Sequence, residues 1–84
     1  MQRLGHPHFD DLAQREDGSL LVRSRATGCH HVLVVETIGE GDAAAQVSSA
    51  WAVSPTGEPV ATSPHARVPS GDLFALADQV HSQR

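Results

Sequence analysis

Ten residues, Cys29 to Ile38, constrain this chain more than any others. Their centre, Val32-Leu33-Val34-Val35, is rich in β-branched side chains and apolar at odd and even positions alike. An extended segment turns alternate side chains to opposite faces, so a run apolar at both parities fits a central strand of a sheet. No apolar run in the chain exceeds five residues. A membrane helix needs about 20, so no membrane-spanning segment is expected. No long apolar stretch follows a basic start, so no secretory signal is expected either.

The segments around this strand supply its neighbours. Ser19 to Arg25 reads as a strand, apolar at Leu20-Leu21-Val22 and with Arg23 and Arg25 on one face, and Ala26-Thr27-Gly28 is a connection of hairpin length. Gly39-Glu40-Gly41-Asp42 breaks the central strand, and Ala43-Ala44-Ala45 adds at most a helical turn. Gln46 to Ser54 is the next strand, with Val47, Ser49, Trp51 and Val53 on one face and Ser48, Ala50, Ala52 and Ser54 on the other. Pro55 to Glu58 is a turn, and Pro59 to Thr62 reads as a short edge strand, where an opening Pro is tolerated. Residues 63–69 read as a loop. Leu73, Leu76, Ala77 and Val80 recur at helical spacing, with Ser70 as a plausible N-cap and Asp72 in the first turn. The expected fold class is α+β: a small antiparallel β-meander of three to four strands with a C-terminal helix. Residues 1–18 read as an N-terminal arm, with a helical turn or two over Asp10 to Arg15. Residues 19–84 read as a single domain of β-sheet plus helix.

Size limits what such a fold can carry. Of 33 apolar residues in 84, eleven are Ala and one is Cys, which leaves 21 large apolar side chains. That fills one small core, and a multi-substrate active site is not expected. Cys29 is alone, which excludes an intrachain disulfide and suits a reducing cytoplasm. A small core without staples makes a homodimer attractive. Six arginines, scattered at positions 3, 15, 23, 25, 67 and 84, face ten acids and give a net charge of −4. Binding to nucleic acid needs a basic face that displaces counterions, so direct binding is not expected. An acidic protein suits a basic protein partner.

Six histidines raise the question of a metal. Cys29 and His31 share a face of an extended segment, as do His6 and His8, so Cys29, His31, His6 and His8 form a candidate zinc set. None of these pairs has a finger or ribbon spacing. The alternative is that His30 and His31 are surface or interface residues and Cys29 a small core residue. Cys29 as a nucleophile lacks a third orienting group. Glu36, Glu40 and Asp42 lack the alternation of a calcium loop, and Gly39 and Gly41 lack the Lys of a phosphate loop. Trp51 is either a core residue between sheet and helix or an interface anchor. The tentative interface set is Trp51, Val53, Arg23, Arg25, His30 and His31.

Several features in order complete the reading. Val22-Arg23-Ser24, then Gly28-Cys29 leading into Val32 to Val35, then Trp51-Ala52-Val53-Ser54, the turn Pro55 to Val60, and Leu73-Phe74 with Val80 follow one another. This succession resembles the actinobacterial domain of unknown function 397 family, which includes the BldB-type developmental regulators. The likeness spans about residues 20–82. It implies a small non-enzymatic, dimeric regulator paired with a helix-turn-helix transcription factor; no cofactor is expected. The other reading is a small metal-binding protein that holds zinc.

Overall fold

The computed structural model describes residues 4–83, as five antiparallel strands and one C-terminal helix. The strands are β1 (Phe9–Gln14), β2 (Leu20–Ser24), β3 (His30–Ile38), β4 (Ala45–Val53) and β5 (Ala66–Val68), and the helix is α1 (Leu73–Ser82). The strands are neighbours in chain order, an up-and-down meander. The expected α+β class holds, with one strand more than expected.

β3 is central, as its apolar run requires. It pairs with β2 over His30–Leu33 and with β4 along its whole length, His30 opposite Val53 and Ile38 opposite Ala45. Residues paired across antiparallel strands point to the same face, so the register sorts the sheet in two. The inner face carries Phe9, Leu20, Val22, His31, Leu33, Ala50 and Ala66. Leu76, Ala77 and Val80 of α1 pack onto it, and Leu4 closes the same core. Ala50 and Ala66 matter by being small, since they let the helix approach closely. Burying Leu33, Leu76 and Val22 contributes about 1.5–3 kcal/mol each.

Three expectations are corrected. The stretch Asp10 to Arg15 is strand, not helix. β1 pairs with β2 through a bulge between Asp11 and Ala13, and adds an edge strand beside β2. The edge strand is β5, in the stretch read as a loop, whereas Pro59 makes only an isolated bridge to Val53. Pro lacks the N–H that a ladder needs, and residues 66–68 supply it opposite Ser48 to Ala50. The helix cap is Asp72 rather than Ser70. Its carboxylate accepts the Phe74 and Ala75 N–H groups at 3.0 and 3.3 Å, while the Ser70 carbonyl accepts from Ser48 Oγ at 2.6 Å.

Candidate interaction surface and histidine seam

The outer face of the sheet, away from α1, carries Arg23, His30, Val32, Val34, Glu36, Ile38, Val47, Trp51 and Val53. Trp51 stands opposite Val32 and His30 opposite Val53, and Arg23 is level with His30 on β2. Four residues of the expected interface set, Trp51, Val53, Arg23 and His30, therefore share one face of the sheet, although Val53, 8% exposed, is buried in the single chain. The other two do not. His31 points inward and is 9% exposed. Arg25 lies past the end of β2, where its guanidinium donates to Asp10 Oδ1 at 2.7 Å and to the Pro7 carbonyl at 3.1 Å.

Trp51 is half-buried and does not join the helix-side core cluster. The turn 54–58 closes part of its face. Arg15 donates from Nη1 to the Gly57 carbonyl at 2.7 Å, and Thr56 and Gly57 line a hollow with Leu21. The other end stays open: Val34, Val47 and Trp51 are half-buried and Ile38 is 51% exposed. Arg67 of β5 borders this end, with Nε donating to Ser49 Oγ at 3.3 Å.

The seam between α1 and the sheet gathers five of the six histidines. His6 is buried. Its Nδ1 accepts the His8 N–H at 3.1 Å, so Nε2 carries the proton and donates to Asp78 Oδ1 at 2.6 Å. Its ring also meets Phe9 edge-on at 5.3 Å and Phe74 at 4.7 Å. His8 stacks on His81 with ring centres 3.8 Å apart and planes 2° from parallel. Through these contacts residues 6–8 strap the start of β1 to the helix. At the helix C-terminal end, Gln83 accepts from His65 Nδ1 at 3.3 Å, which leaves His65 Nε2 to accept from His31 Nδ1 at 3.1 Å. Burial holds the His31 pKa down at about 4, and the nearby His65 and His30 push it the same way.

The expected zinc set is split between these groups. Cys29 is exposed rather than a core residue, and it lines a pocket of about 200 Å³ with His31, His65 and His81. His6 lies instead between Phe9, Phe74 and Asp78. Among the described residues, no three His, Cys, Asp or Glu side chains are grouped so as to hold a metal ion. Sequence reasoning missed His65, His81, Asp78 and Gln83. One signal was available: Phe74, Asp78 and His81 follow at spacings of four and three, which puts them on one side of a helix. His65 gave none, because its place depends on β5.

The fold defines this chain as a small α+β protein with an open antiparallel sheet. No family model, curated protein or solved structure matches it. Among the described residues, no helix is long and apolar enough to cross a membrane.

Proposed function

We propose that this chain is a small non-enzymatic regulatory module that forms a homodimer in the cytoplasm and acts on a basic protein partner such as a helix-turn-helix regulator. The observation that carries this reading is the outer sheet face, where Trp51, Val53, Arg23 and His30 lie together on the side α1 leaves uncovered. A half-buried Trp on a face that also carries half-buried Val34 and Val47 and exposed Ile38 has the composition of an interface anchor. The net charge of −4 suits a basic protein surface. The likeness to the domain of unknown function 397 regulators points the same way. The test is solution mass by light scattering, followed by calorimetric titration with the helix-turn-helix protein encoded beside this chain. A dimer that binds that regulator, with affinity at least about tenfold lower for Trp51→Ala, is expected. A monomer that binds no such regulator overturns the reading.

The second reading, a zinc protein, draws on the pocket that Cys29 shares with His31, His65 and His81, although, among the described residues, no three of these side chains are grouped so as to hold a metal ion. It replaces His6 and His8 with His65 and His81. His31 Nδ1 and His65 Nε2, 3.1 Å apart, are spaced close to two ligands on one zinc ion at about 2.0–2.1 Å each. Cobalt titration followed by thiolate-to-metal absorption tests it. A Cys29-dependent band supports the reading, and no band at stoichiometric cobalt removes it.

A further inference from the structure

The open end of the outer face has a charge pattern that specifies an occupant. Val47, Ser49 and Trp51 run in a line along β4. Glu36 lies on one side of that line, on β3 opposite Val47. Arg67 lies on the other side, on β5 opposite Ser49. An acid and a base thus flank Val47 and Trp51, one strand away on each side, with buried Ser49 between the two apolar residues and accepting from Arg67 Nε. Strands are about 4.8 Å apart, and residues on one face about 6.8 Å apart along a strand.

We propose that a second copy of this chain covers this surface, packed face to face about a two-fold axis that runs along β4. The proposal rests on the homodimer reading above and specifies its geometry. A rotation about that axis lays β3 of one copy over β5 of the other. Val47 and Trp51 then meet their own counterparts across the axis, and Glu36 of each copy comes beneath Arg67 of the other. The offset between them is one same-face step along the strand, within the reach of an arginine side chain. The pair occurs twice, as an isologous interface requires. A two-fold axis laid across the strands instead would place β3 on β3 and leave Glu36 away from Arg67, so charge selects the first arrangement. The fold allows the approach. Two stacked sheets lie about 10 Å apart at an angle of about 30°, and the tip of the turn 54–58, at Thr56 and Gly57, lines a hollow with Leu21 of β2, two strands from β4. Ile38, 51% exposed in the single chain, lies on the same face, beyond the end of β5.

A charge-reversal cycle followed by sedimentation equilibrium tests the arrangement, with circular dichroism to confirm that each variant folds. Glu36→Arg and Arg67→Glu should each weaken dimerisation by about tenfold, since each sets two like-charged pairs across the interface. The double variant restores opposite charges and should return to within about twofold of the unaltered protein. Val47→Asp, at the axis, should give a monomer. If the protein is a dimer whose affinity neither reversal changes, or if the double variant is no tighter than the singles, this arrangement is wrong while the homodimer stands. A monomer at about 1 mM overturns both.

Discussion

At the scale of single residues, His31 is the most informative side chain. It sits on the strongest strand, yet it is a polar ring on the inner face, kept neutral by burial and held by His65. Its folded pKa of about 4 lies below the ordinary 6.5, so the unfolded chain binds a proton more readily. The stability this neutral ring allows is complete above about pH 6.5 and is lost as pH falls towards 4. Denaturant titrations at pH 7.5 and 5 should therefore show a loss on the order of 1–2 kcal/mol on acidification. His31→Leu should flatten much of that slope. An equal slope in the variant would assign the acid sensitivity to other groups. Gly39 makes a second residue-scale prediction. Its φ is +91°, and a Cβ there would stand 2.8 Å from the Ala43 carbonyl oxygen. Gly39→Ala should cost more than about 1 kcal/mol in thermal or denaturant unfolding, because both conformation and space oppose it.

At the scale of elements, α1 holds the molecule together through one apolar stripe and one cap. Asp72 satisfies two of the first-turn N–H groups that every helix leaves unpaired. Asp72→Ala should lower unfolding free energy by about 1 kcal/mol. Leu76, fully buried against the sheet, should cost about 2–5 kcal/mol as Leu76→Ala, through lost burial and the cavity left behind. The stripe was legible in the spacing of Leu73, Leu76, Ala77 and Val80, because helical periodicity is local. The cap was misplaced by two residues, because both Ser70 and Asp72 have suitable side chains. What separates them is that the Ser70 carbonyl is held by Ser48 on β4, a contact no local pattern contains. β1 was missed for a related reason. Asp10 and Asp11 resist a strand reading by propensity, but Asp11 accepts the Leu4 and Gly5 N–H groups and Asp10 pairs with Arg25.

At the scale of the whole molecule, one sheet has two faces with different fates. The inner one is closed by a ten-residue helix and strapped by His6 and His8. The outer one is closed at one end by the turn 54–58 and open at the other. If the open end is an interface, stability is linked to association, and the melting temperature should rise with protein concentration. A melting temperature independent of concentration over a hundredfold range would separate folding from assembly.

The sequence by itself determined the central strand, its two flanking strands, the turn at 55–58 and the closing helix. Each is written in a period of two or 3.6 residues or in turn chemistry, all of which act over a few neighbours. It also put Trp51 and Val53 on one face of their strand by alternation alone, whereas the register between strands brought Arg23 and His30 to that face. Only the tertiary structure decided that Trp51 faces away from the helix, that residues 66–68 rather than 59–62 complete the sheet, and that His65 and His81 join His31 and Cys29 around one pocket. Those outcomes depend on which face the helix covers and on where a polar loop finds backbone partners. Both are set by contacts between residues far apart in the chain, where burial and hydrogen-bond satisfaction outweigh local preference.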